Sequence, residues 1–263
     1  MRWVKFKLLS ALVRRDFEAR YKGSVLGRLW PVINQLSQLL IYTYVFAIVL
    51  QVKLSLKELS QDNPFTFGLW LFSGLVAWIA FSGGLGQAAS SVVVQSTLVK
   101  KVVFPLVLLP LVPILSTFIE SMFGLALLIV AVAILTGNLH PTLALLPLIW
   151  IPQLMFTAGF AYLAASLTVF IRDIPQAIGI LLNLWFYLTP IVYPTNIIPE
   201  PVNAWILWLN PMATLVEVYR DLVLVGQIGH MGEWIGLSTT SFLLFWVGLL
   251  VYRRLSYSFA DVL

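Results

Sequence analysis

Residues 14–31 read RRDFEARYKGSVLGRLWP, and their first fifteen positions carry seven of the chain's 27 formal charges. The stretch that follows, Val32–Val52, carries none. Of the 263 residues only 10% are charged and 60% are hydrophobic, with a mean hydropathy of +0.94, whereas soluble domains average about 25% charged. A soluble fold of this composition would leave large apolar patches in water. Charge gathered at the mouth of an uncharged run therefore marks a water–membrane boundary, and the fold class expected is all-α integral membrane.

A bilayer-spanning helix needs about 20 apolar residues. Hydrophobic runs at roughly 31–52, 65–92, 105–135, 141–170, 176–193 and 234–252 predict six transmembrane helices. The basic residues fall unevenly between the connecting segments. Eight lie in the N-terminal stretch, two near 93–104 (Lys100 and Lys101), one at Arg172, and two in the tail, Arg253 and Arg254. That puts thirteen of sixteen on one side, with Lys53, Lys57 and Arg220 opposite beside six carboxylates. Positive-inside asymmetry then predicts both termini in the cytoplasm, in agreement with six crossings. The net charge of +5 reflects this bias and does not point to nucleic acid. No cleavable leader is expected, because Leu8–Val13 is too short for an h-region and arginines follow it.

Phe6, Leu9, Val13, Phe17 and Tyr21 share one helical face, which predicts an amphipathic interface helix over residues 1–29 ahead of the first span. Its other faces carry Arg14, Arg15, Asp16, Glu18 and Lys22. This mixture suits a protein partner, although a solvated face reads equally well. GGLGQAASS, Gly83–Ser91, predicts close helix packing. Thr189–Met212 holds five prolines. It reads either as short re-entrant helices, about 194–212, or as an outer loop with an interfacial helix carrying Trp205 and Trp208.

The apparatus of an enzyme is missing. There is no cysteine, and the two histidines, His140 and His230, are too few for a histidine metal site. No paired-carboxylate motif for Mg²⁺ and diphosphate occurs. No GxxxxGK[ST] loop occurs either, so the chain itself is not expected to bind or hydrolyse ATP. Glu120 is the one charge inside a predicted span, open to a structural role with Ser or Thr neighbours, a functional role, or a proton-coupling role. Aromatic residues are abundant, with 10 Trp, 9 Tyr and 17 Phe. Most suit interfacial belts. Tyr42, Tyr44 and Phe46 of the first span, and Trp185, Phe186 and Tyr187 of the fifth, could instead wall a path for sugar rings.

RRDFEARYKGSVLGRLWPVINQL, KKVVFPLVLLP, FIRDIPQAIGILLNLWFYLTPIVYP and LNPMATLVEVYRDLVL, in that order, resemble the permease subunits of ABC-2-type polysaccharide exporters. The resemblance runs from about residue 10 to the C-terminus. It implies a transmembrane domain over 30–263 with a re-entrant segment before the last span, and a homodimer in the bacterial cytoplasmic (inner) membrane. Two copies of a separate ATPase carrying ATP and Mg would drive it, with no cofactor in this chain. By position, Arg14, Arg15, Asp16 and Glu18, together with Gln95, Lys100 and Lys101, would dock that ATPase. The channel would lie between the subunits, lined partly by the first and fifth spans and the six aromatics above, for a lipid-linked polysaccharide such as O-antigen. Arg20, Lys22 and Arg28 are candidates to meet the lipid diphosphate at the cytoplasmic entrance. The competing readings are an ABC-2 permease for drugs or lipids, and an intramembrane glycosyl- or prenyl-transferase.

Overall fold

A computed structural model describes residues 2–50, 65–101, 104–195 and 198–263, and all regular structure among them is helical. Helix α1 (Arg2–Arg20) leads through a turn to α2 (Trp30–Tyr42), which continues as a π-helix over Thr43–Val49. Pro31 sits in the first turn of α2, where its missing N–H costs nothing. Next come α3 (Phe65–Val94), the short α4 (Ser96–Lys101), α5 (Leu108–Thr136), α6 (Leu146–Phe170) and α7 (Ile174–Leu188). The chain ends with α8 (Val202–Leu209), α9 (Pro211–Arg220), α10 (Met231–Leu255) and α11 (Phe259–Val262).

Among the described residues, four segments are long and apolar enough to cross a membrane: Phe65–Val94, Leu108–Thr136, Pro141–Phe170 and Met231–Val262. The other two expected runs are also helical but shorter, since α2 with its π-helical continuation ends at Val49 and α7 has 15 residues. α3 is the central helix. Its most apolar window is 83% buried inside the protein, against 28% for the windows of α5 and α10. It packs along α5, α6 and α9, while α6 and α10 form a second close pair.

Lipid offers no hydrophobic drive for helix association, so close approach depends on small residues. The Gly83–Ser91 stretch supplies this: Gly83 abuts the Thr117 methyl of α5, and Gly84 abuts Ile114 of α5 and Thr157 of α6. At the α6–α10 crossing the backbone of Gly159 meets both Leu244 and Gly248.

The proline-rich segment contains one short helix, α8, and leads into a second, α9. α8 is an apolar helix with Trp205 and Trp208 about two-thirds exposed. The buried piece is α9, C-terminal to the expected stretch: every residue from Met212 to Leu224 is buried. Glu217, Arg220 and Asp221, counted above as outer-loop charges, are thus inside the protein. Asn210 caps α9 by accepting from the Met212 N–H. The same amide oxygen accepts from Trp185 Nε1, and Asn210 Nδ2 donates to the Leu188 carbonyl and the Thr189 hydroxyl. One side chain therefore ties the end of α7 to the start of α9.

Candidate functional site

Between α2, α3 and α7 lies a cavity of about 580 Å³. Each helix contributes one face to it: Gln38 and Tyr42; Leu75, Trp78, Ile79, Ser82 and Gly83; Gly179, Leu182, Asn183, Phe186 and Tyr187. The 3.6-residue period generates all three sets. The wall combines aromatic faces with amide and hydroxyl groups and holds no ionised side chain. It can stack against flat CH surfaces and exchange hydrogen bonds with hydroxyls, which is the chemistry of uncharged sugars.

Of the six aromatics expected to line a path, Tyr42, Phe186 and Tyr187 line this cavity. Phe46 instead stacks on Phe67 of α3, and Tyr44 is exposed on the outside of the bundle. Trp185 points to the other side of α7, edge-on to Phe81, Phe156 and Phe160. Neighbouring positions on a helix point about 100° apart, so three aromatics in a row cannot all meet one cavity, and Trp185 turns away while Phe186 and Tyr187 flank the same wall. Gln38, Trp78, Ser82 and Asn183 were missed. The signal was available in the i, i+3, i+4, i+7 spacing of Gly179, Leu182, Asn183 and Phe186.

A second site surrounds α1, which packs along α5. Val13 is buried, its carbonyl accepting from the Ser116 hydroxyl, and Phe17 stacks on Phe123. Phe6 remains 70% exposed, and over the full helix the apolar residues are not segregated onto one face. Only the second half of the expected amphipathic face is thus seated. Glu120 finds its partners here. It accepts from Tyr21 Oη at 2.7 Å and from Arg20 Nη1 at 3.1 Å. Arg20 also donates to Asp16 at 2.8 Å and to the Thr117 hydroxyl at 3.4 Å. Partial burial and the Glu120 carboxylate push the Tyr21 phenol above its ordinary range, so it remains a neutral donor. An ionised side chain in the middle of a span costs about 2.5–3.5 kcal/mol. Glu120 therefore depends on α1 for its stability in α5.

The residues expected at a docking surface divide. Arg14 and Glu18 form an exposed ion pair, and Arg15 and Lys100 are exposed. Asp16 is committed to Arg20. Gln95 is the turn residue between α3 and α4, its carbonyl accepting from the N–H groups of Leu98 and Val99. Lys101 ends α4, with its side chain outside the described residues. α4 packs on α11 and the end of α3, whereas α1 packs on α5. Of the three diphosphate candidates, Arg20 is paired with Asp16 and Glu120. Lys22 is exposed, and the Arg28 side chain lies outside the described residues.

At the far end of α3, Arg220 is 2% exposed. It donates to Glu217 at 2.7 Å and to the carbonyls of Pro190, Ile191 and Trp70 at 2.8, 3.0 and 3.4 Å. Its guanidinium carbon lies 3.5 Å from the centre of a Trp70 ring. Next to it, Asp221 accepts from Gly229 N–H and pairs with His230 Nδ1 at 2.8 Å. Among the described residues no cluster could hold a metal.

The ABC-2 type transporter family model matches residues 7–224. The chain belongs to that family. It is 32% identical over 263 residues to the O-antigen export system permease protein RfbA of Klebsiella pneumoniae, covering 98% of this chain and 95% of that protein. It is 31% identical over 257 residues to the Myxococcus xanthus protein of the same name, covering 97% and 94%. It is 23% identical over 250 residues to the polysialic acid transport protein KpsM of Escherichia coli, covering 93% and 92%.

Proposed function

We propose that this ABC-2 family member is the permease subunit of an ABC exporter that moves a lipid-linked polysaccharide, of the O-antigen class, across the bacterial inner membrane. The observation that carries this reading is the 32% identity to an O-antigen export permease over nearly the whole of both chains. The cavity chemistry supports it: Tyr42, Trp78, Phe186 and Tyr187 offer ring faces, and Gln38, Ser82 and Asn183 offer hydrogen bonds without charge. A drug or lipid permease would have less use for that polar set.

In this reading α2 with its π-helical continuation, α3, α5, α6, α7 and α10 are the six spans. Both termini face the cytoplasm, a placement that the bias of the basic residues supports. α8 and α9 form a re-entrant pair at the outer exit, with exposed Trp205 and Trp208 at headgroup level. Two copies enclose the path, each presenting the cavity face of α2 and α7. ATP and Mg belong to a separate ATPase subunit, two copies of which dock on Arg14, Arg15 and Glu18 of α1 and on Gln95, Lys100 and Lys101 around α4. Lys22 and Arg28 meet the lipid diphosphate through charge-assisted hydrogen bonds.

The test is to purify the chain alone and together with the ABC ATPase of its host, in lipid, with Ala at Arg14, Arg15, Lys100 and Lys101 in parallel. The chain alone has no ATPase activity, the wild-type complex hydrolyses ATP, and the variants lose the complex. A wild-type chain that binds no ATPase overturns the reading.

A further inference from the structure

We infer that Glu120 is a positioning residue for transport: the Tyr21–Glu120–Arg20 junction carries movement of the docking helix α1 into α5 and so to the wall of the cavity. The inference rests on the transport reading above and goes beyond it, since that reading needs α1 only as a docking surface joined to the first span.

Three observations support it. Glu120 is the only charged residue between Leu108 and Thr136, so α5 has a single ionic handle. That handle is held from outside the helix by two consecutive residues at the C-terminal end of α1, across about a hundred positions of sequence. With Glu120 and Arg20 each less than one-fifth exposed, α1 cannot move off α5 without stripping the Glu120 carboxylate of the Arg20 and Tyr21 donors, while Arg20 keeps only Asp16. The two helices therefore move together or not at all.

The far side of the junction completes the link. Thr117, one turn before Glu120, accepts from Arg20 and presses its methyl group against Gly83. Gly83 belongs to the cavity wall. A Cβ at that position would come 2.8 Å from the Thr117 methyl, closer than side chains tolerate, so no slack separates them. The docking helix, α5 and the cavity are thus in continuous contact through Arg20, Thr117 and Gly83. A spatial chain becomes a coupling only when perturbing it separates input from output. ATP hydrolysis is the input here and export the output.

The experiment compares wild type, Glu120→Gln and Tyr21→Phe, each co-purified with its ATPase subunit and each expressed in a host lacking its own copy. ATP hydrolysis is measured on the complex, and surface polysaccharide on cells. The expected result is an assembled complex that hydrolyses ATP within twofold of wild type, with export per ATP at least fivefold lower for Glu120→Gln and about twofold lower for Tyr21→Phe. The native chain has no cysteine. A Phe17→Cys/Phe123→Cys pair, bridged by a short bifunctional thiol reagent, should therefore restore export in the Glu120→Gln background. Unchanged export in both variants overturns the inference. So does parallel loss of complex, hydrolysis and export in both, which would make the junction a mere anchor. A wild-type complex that hydrolyses ATP while export does not depend on the chain overturns the transport reading instead, and the inference with it.

Discussion

Arg20 and Arg220 both bring a guanidinium into the apolar body of this protein, and they are satisfied differently. Arg220 is enclosed: its donors are matched by one carboxylate and three backbone carbonyls, with an indole beneath it. Arg20 is shared between Asp16 of its own helix and Glu120 and Thr117 of another, and it stays 18% exposed. An arginine bonded to backbone on several elements fixes them rigidly, because carbonyls cannot rearrange one at a time. An arginine bonded to side chains across one helix contact is a joint whose partners can move as a pair. The α9 end of the protein is pinned, and the α1 end is linked.

Breaking the pin gives the largest effect. Arg220→Ala leaves Glu217 buried without its counter-charge and strips the Pro190 and Ile191 carbonyls of their donor. Losing one partner of a buried pair costs about 3–5 kcal/mol. Little monodisperse protein should be recovered in size-exclusion chromatography, and Arg220→Lys should rescue poorly because one ammonium cannot span the same acceptors. A normal yield of Arg220→Ala would contradict the comparison. At the joint, Glu120→Gln should leave the thermal midpoint of the complex within a few degrees of wild type, measured by thermal-shift assay, while export falls.

A finer test lies beside the pin. The Asp221 hydrogen bond raises the His230 pKa against the opposing effect of burial, with the Asp221, Glu217 and Glu233 charges acting in the same direction. A raised folded-state pKa gives stability that is full below the unfolded value of about 6.5. It is lost as pH rises through the folded value. Thermal midpoints should therefore decline over that window and flatten in His230→Gln. The smallest effect belongs to the surface. Arg14 pairs with Glu18 in solvent, and such pairs contribute about 0–1 kcal/mol. Arg14→Ala should leave the midpoint unchanged while weakening ATPase capture in a pull-down.

This contrast also explains what could be read from the chain beforehand. Hydrophobic runs reveal the helices, because a run of apolar residues is a property of local composition. Glu217, Arg220 and Asp221 look like loop charges in sequence. Only the i, i+3 spacing of the first two hints otherwise, and nothing local announces Trp70 as the floor beneath Arg220. Glu120 was visible as an anomaly, yet its partners sit about a hundred residues away. In the cavity, Tyr42, Phe186 and Tyr187 stood out as aromatics. Gln38, Ser82 and Asn183 did not, since a single amide or hydroxyl in an apolar run also suits helix packing.

The most direct test of the central claim is made in the chain's own host. The gene is deleted, and lipid-linked polysaccharide is quantified separately on the cell surface and inside the cytoplasmic membrane. The account predicts that the surface glycan disappears while its lipid-linked precursor accumulates on the inner side, and that the plasmid-borne chain restores export. Unchanged surface glycan in the deleted strain would contradict it.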